Sequence, residues 1–112
     1  MPRPRKLRFV RSHPEVTAFV PHGVPLQGRD TAVLPIEGLE AIKLNDVEGL
    51  DQERAAEVMN VSRQTFGRTL AEARAIVADA LVSGKVLKIE GGHFDIPGGE
   101  AAGRRRRRRG RR

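Results

Sequence analysis

Cysteine, tryptophan and tyrosine are absent from this chain, and phenylalanine occurs only four times. Without cysteine there is no disulfide framework and no thiolate metal or redox site, and a reducing, cytoplasmic location fits. So few aromatic rings leave little to stack on unpaired bases, which argues against a single-strand or RNA platform. No stretch approaches the ~20 apolar residues of a membrane span, and the basic start MPRPRKLRFV leads into no apolar run, so neither anchor nor signal peptide is expected. His13, His22 and His93 are scattered, and no pair has the i, i+4 spacing of a helical metal site. No glycine-rich phosphate loop follows a strand. The sequence therefore predicts no cofactor, no metal and no enzyme.

Charge is plentiful and unevenly placed. The formal net charge is +7 over 112 residues, yet eight arginines lie after Gly103 and five basic residues lie among positions 3 to 11. The remaining 8 basic residues face 14 acidic ones, which leaves residues 12–103 near −6. The body is acidic and its ends are basic. That bipolarity fits a compact unit flanked by basic arms better than a uniformly basic binding face.

Residues 1–34 read as a basic N-terminal arm with one or two short strands, around Leu7, Phe9 and Val10 and around Val16, Ala18 and Val20. From Pro35, taken as a first helical residue, Ile36, Leu39, Ile42 and Val47 follow roughly helical spacing, and helix one is expected over 35–47, ending at Gly49. Asp51 is placed to cap helix two over 52–59, with Glu53 in its first turn and Ala55, Ala56 and Met59 buried. Asn60 suits a left-handed turn, and Ser62 suits the cap of helix three. That helix is expected over 63–83, with Phe66, Leu70, Ala73, Ile76 or Val77, Ala80 and Leu81 on one face and a stop at Ser83-Gly84. Leu87 and Ile89, then Gly91-Gly92, then Phe94 and Ile96 predict a β-hairpin within 84–97. Glu37, Glu40, Asp46 and Glu48 read as a solvated face of helix one. Residues 98–112, ending in RRRRRRGRR, contain nothing that can build a core and are expected to be disordered.

Helices 52–59 and 63–83, joined by about three residues and backed by helix one, have the spacing of a helix-turn-helix. Ala56 allows close backbone approach near the turn, Val61 plugs the corner and Phe66 reaches back into the core. Ser62, Arg63, Gln64, Thr65 and Arg68 are then the candidate DNA-binding residues. Glutamine pairs bidentately with adenine and arginine with guanine, and a threonine methyl suits the thymine methyl. Gly67, costly inside a helix by about 1 kcal/mol, marks a place where a backbone, of protein or DNA, comes close or where helix one packs. Arg3, Arg5, Lys6, Arg8, Arg104, Arg105 and Arg106 are the candidate phosphate contacts.

Blocks along the chain also resemble a known family: MPRPRK at 1–6, FVPHG at 19–23, GLEAIKLNDVEGL at 38–50, AAEVMNVSRQTFGR at 55–68 and VLKIEGG at 86–92. The pattern is similar to uncharacterised protein family 0251, also called domain of unknown function 134, over residues 1 to about 92. The resemblance implies a probable DNA-binding protein with a helix-turn-helix similar to region four of sigma factors. Where many relatives have a glycine this chain has Asn60, and Leu7 stands near the position of an N-terminal cysteine.

The expected fold class is mainly α: a three-helix helix-turn-helix unit at 35–83, a short N-terminal strand region and a C-terminal β-hairpin. The expected function is sequence-specific binding of double-stranded DNA as a transcriptional regulator, with helix 63–83 in the major groove. A single such helix covers only a few base pairs, which implies a homodimer seamed at 86–96 or at the far end of helix three. The rival reading is an interaction module that docks on an RNA polymerase component, its arginine tail binding nucleic acid without sequence preference.

Overall fold

The computed structural model describes residues 7–97. The first six residues and the segment 98–112, expected above to be disordered, lie outside the described residues.

Helix boundaries follow the local chemistry. Pro35, its ring holding φ at −62°, occupies the N-cap of α1 (Ile36–Ile42), one residue earlier than expected, and its carbonyl accepts from Gly38 and Leu39. The chain then widens into π-type bonding over Lys43–Val47, closed by the Glu48 N–H on the Lys43 carbonyl at 2.8 Å. Widening carries Leu44 into the core and turns Val47 outward, so Val47 is not on the apolar face as the spacing suggested. Asp51 caps α2 (Gln52–Met59) by accepting from the Arg54 N–H at 2.8 Å. Asn60 is left-handed, with φ 58° and ψ 45°, and α3 (Arg63–Ser83) begins at the Ser62 cap and stops at Gly84.

The fold class is the expected one, three helices with short strands before and after them. The strands are β1 (Arg8–Phe9), β2 (Ala18–Phe19), β3 (Thr31–Leu34), β4 (Val86–Ile89) and β5 (Phe94–Asp95). Sequence reading missed β3, whose Ala32 and Leu34 are buried and whose Thr31 and Val33 are exposed, the period of two of a half-covered strand. Among the described residues β4 is central, antiparallel to β2 and parallel to β3, while β5 runs parallel to β1. The two C-terminal strands are therefore neighbours in sequence without forming the expected hairpin ladder. Both edges of β4 are already taken. Gly91 and Gly92, with φ of 74° and 108°, lead the chain instead across the start of α1, where Gly91 accepts from the Ile36 N–H and the His93 N–H donates to Glu37.

Two apolar clusters share α3. Leu44, Ala55, Ala56, Met59, Phe66 and Leu70 form the core of the three-helix unit, and Val10, Leu34, Ile36, Ala73 and Ile89 join that unit to the sheet. Ile42 packs on both. Gly38 lets α1 and α3 meet, since a Cβ there would lie 3.0 Å from Leu34 Cδ1 and 3.2 Å from the Ala73 Cβ. Leu81, expected on the buried stripe, is exposed because the helix outruns both clusters.

The acids of α1 and its π extension are not a uniformly solvated face. Glu40 is 4% exposed and accepts from Arg11 Nε at 2.7 Å, while the same guanidinium reaches Glu48 at 2.7 Å. Glu37 is buried too, held by the His93 N–H. Burial of these carboxylates follows from partners 29 and 56 residues away. Hydrogen bonding to Glu48 and then Glu40 raises the Arg11 pKa, and the same bond holds the Glu48 carboxyl below its ordinary value.

Phe66 is fully buried in the helical cluster, and Phe66→Ala is expected to cost about 3 to 5 kcal/mol in denaturant unfolding. A stable, folded alanine variant would show that this cluster does not hold the unit. Arg11→Ala leaves the buried Glu40 carboxylate without its charged partner and is expected to cost about 1 to 3 kcal/mol at neutral pH. Because the Glu48 pKa is lowered in the fold, its share is present above the ordinary glutamate pKa and is lost as pH falls through the lowered one. The melting-temperature gap between wild type and variant should therefore narrow on acidification; a gap independent of pH would remove the clamp from the account.

Candidate nucleic-acid interface

The corner between α2 and α3 is built from backbone bonds. Asn60 N–H reaches the Ala56 and Glu57 carbonyls, and Val61 N–H reaches the Ala56 carbonyl at 3.0 Å. Small Ala56 is buried at this point, and Val61 packs on the cluster that holds Phe66. The chain leaves the corner at Ser62, whose Oγ accepts from the Thr65 N–H and donates to Thr65 Oγ1, both at 3.0 Å. With the Ser62 proton engaged in the cap, the outward donor is the Thr65 hydroxyl. The first N–H groups of α3 point the same way, at the positive end of the helix dipole.

Among the expected contacts, Ser62, Arg63, Gln64 and Arg68 are exposed and Thr65 is half-buried beside the cap. Gln64 and Arg68, one turn apart, lie opposite the Phe66–Leu70 stripe and form one outward face. Arg63 is set to the side, lining an open polar cleft with Asn45, Asp51, Gln52 and Glu53. The fold thus brings all five together on the first two turns of α3 and splits them into an outward pair, a cap pair and a flanking arginine.

Ion pairing separates these arginines from the cations that brace the fold. Arg11 pairs with Glu40 and Glu48, Arg74 with Asp46 at 2.6 Å and Lys85 with Asp79 at 2.6 Å, whereas Arg63 and Arg68 form no ion pair among the described residues. Arg74 also bonds Asn45, and so ties α3 to the π segment behind it. Its hydrogen bond to Asp46 holds that carboxyl below its ordinary range. Sequence reading did not find Arg74 or Asn45 as braces, because their partners meet only in the folded chain.

Of the expected phosphate contacts, only Arg8 lies within the described residues. It sits in β1, half-buried, with its Nε shielded from solvent and unbonded, rather than on a free arm. β1 runs against α2, which places Arg8 and Phe9 beside that helix. No three His, Cys, Asp or Glu side chains gather as a metal site among the described residues, and no described helix is long and apolar enough to cross a membrane.

A family model described as a protein of unknown function, DUF134, matches residues 1–97. The chain belongs to that family. A UPF0251 protein of Thermoanaerobacter pseudethanolicus is 55% identical over 96 residues, covering 86% of this chain and 81% of the relative. Another, from Caldanaerobacter subterraneus, is 50% identical over 103 residues, covering 92% and 87%. A third, from Rhodospirillum rubrum, is 46% identical over 113 residues, covering 98% and 79%. No solved structure matches. Every part of the corner just described, from Asp51 to Arg68, falls inside the stretch matched by the DUF134 model.

Gly67 has a plainer setting than the sequence suggested. No protein backbone approaches it, nor does helix one; a Cβ would meet only the Gln52 Oε1 of α2, at 3.3 Å. That oxygen ends a flexible side chain and can give way, so Gly67→Ala is expected to hold or raise the melting temperature, by up to about 1 kcal/mol of helix propensity. Clear destabilisation in thermal unfolding would show that packing between α2 and α3 requires the glycine.

Proposed function

We propose that this DUF134 protein binds double-stranded DNA sequence-specifically, as a cytoplasmic transcriptional regulator that lays the first turns of α3 in the major groove. The observation that carries the reading is the outward pair Gln64 and Arg68, with Arg63 at its flank, on a helix start whose arginines form no ion pair among the described residues. A capped helix, a left-handed corner and a buried Phe66 hold that pair rigidly, and a reading helix needs such rigidity. Thr65 and the α3 N-terminus would take a phosphate. The basic segments at 1–6 and 104–112 would add sequence-independent attraction.

The acidic residues Asp51 and Glu53 beside Arg63 favour a second reading, in which this face docks on a protein such as an RNA polymerase component. Selection of duplexes from a random pool separates the two, since groove reading yields a consensus and protein docking does not.

On the selected site, alanine at Gln64 or Arg68 is expected to cost about 1 to 3 kcal/mol and to flatten preference at one or two base pairs, with little change on scrambled DNA. Deleting 104–112 should do the opposite. It should lower the salt slope by up to about 7 units if all eight arginines engage phosphates, and leave preference intact. If discrimination survives both alanine variants while loss of the arginines abolishes all binding, α3 is not the reading element.

A further inference from the structure

Two consecutive large aliphatic side chains stand at the end of α3 with no cluster to enter. Leu81 is 78% exposed and Val82 86%, the highest values for large apolar residues among the described residues. Beside Leu81 opens an apolar groove of about 430 Å³, floored by Leu39, Ile42 and Val77 and rimmed by Phe19 and Val20 of the β2 edge. Phe19 and Val20 are themselves 56% and 55% exposed. The one charged side chain at the groove, Lys85, is already paired with Asp79.

We propose that a second copy of this chain covers this face, forming a two-fold dimer in which Leu81 of each copy enters the groove of the other. The inference rests on the DNA-binding reading for its purpose, and on the shape and area of the face for its occupant. A protruding Leu81 next to a recess is self-complementary, as a two-fold interface requires, because each copy offers the same projection and the same hollow. Phe19, Val20 and Leu81, which all line the groove, together expose roughly 350 Å² of mostly apolar surface. A stable interface takes about 800 Å² from each partner, a little over half of it apolar, so these three residues supply most of the apolar share that a dimer needs.

Position along α3 supports the same occupant. From the middle of the reading turn near Thr65 to Leu81 is 16 residues, roughly 24 Å of helix. A two-fold axis near Leu81 therefore sets the two reading turns at most about 48 Å apart, and inclining both helices to the line between them reaches the ~34 Å that separates successive major-groove faces. A seam on the first half of α3 would hold the two turns too close together and would cover Arg68. The groove lies at the other end and leaves Gln64 and Arg68 open.

Sedimentation of the full-length chain without DNA tests the seam. Wild type is expected to be a dimer that dissociates on dilution, and Leu81→Glu and Phe19→Glu are each expected to be monomeric with unchanged helical circular dichroism. Val33→Glu, at an exposed apolar site on the opposite sheet edge, should leave the dimer intact. Wild type that stays monomeric at every concentration, or a dimer indifferent to both groove substitutions, overturns the proposal. Selection from random duplexes keeps the two ideas apart. Two half-sites selected by wild type and one by Leu81→Glu support the seam. A monomeric wild type that selects one half-site overturns the seam and leaves the DNA reading standing; a Leu81-dependent dimer with no consensus supports the seam and removes the DNA reading.

Discussion

The angle between α2 and α3 is the constraint on which the rest of the molecule depends, and it is fixed at Asn60. A left-handed backbone costs most L-residues about 1 to 2 kcal/mol, and asparagine is among the few that adopt it routinely. Three backbone bonds to the last turn of α2 hold the corner, and the Ser62 cap starts the next helix two residues later. Once that angle is set, Phe66 must point into the cluster with Met59 and Leu44, and Gln64 and Arg68 must point away from it. The arrangement of the outward face is thus a by-product of burying one aromatic ring.

α3 carries this local decision across the whole fold. Its first half closes the helical cluster and its Ala73 closes the second one against Leu34 and Ile89, so the sheet is indexed to the same helix that bears Gln64. Arg74 adds a polar brace to Asn45 and Asp46 between the two clusters. Exposed pairs of this kind contribute little stability one by one. Their effect here is geometric, since the π segment has no other side-chain hydrogen bond to α3 among the described residues.

What could be read from the sequence was whatever the chain decides within a few residues. Asp51, Asn60, Ser62 and Gly84 each mark a helix end through bonds spanning three to five residues, and those ends were legible. Strand partners were not, because β4 is paired by segments more than fifty residues earlier, and a glycine pair that suits a hairpin suits equally well a crossing over α1. Glu37 and Glu40 looked like solvent-facing acids for the same reason. Nothing in their own neighbourhood announces Arg11 or the His93 N–H. In the candidate site, the five residues around the α3 start were legible as a group, whereas the sideways placement of Arg63 and the use of Thr65 by the cap depend on α2 and on the Ser62 rotamer.

The acidic body, the feature least suited to a DNA partner, is less of an obstacle than net charge implies. Glu40 and Glu48 share Arg11, Asp46 and Asp79 each hold a cation of the same fold, and Glu37 is buried; Arg74 and Lys85 are already counted in the −6 of residues 12–103, so Arg11 alone offsets it, by one charge. Across a body 42 Å long, charges more than about 8 to 10 Å from a phosphate are mostly screened at physiological ionic strength. The field that a duplex would meet at the α3 start is then set by its nearest groups: the positive end of the helix dipole, Arg63 and Arg68, against Asp51, Glu53 and Glu72. Asp51 is committed to capping α2, and Glu53 stands in that helix's first turn, where its charge offsets the α2 dipole. Glu72 lies one turn beyond Arg68 on the same side of α3, at the position where a groove-bound helix would begin to leave the bases. The two arginines and the dipole thus roughly balance the three acids, so in the proposed DNA reading the α3 start would supply discrimination, and the sequence-independent attraction for a phosphate backbone would come chiefly from the basic segments at 1–6 and 104–112.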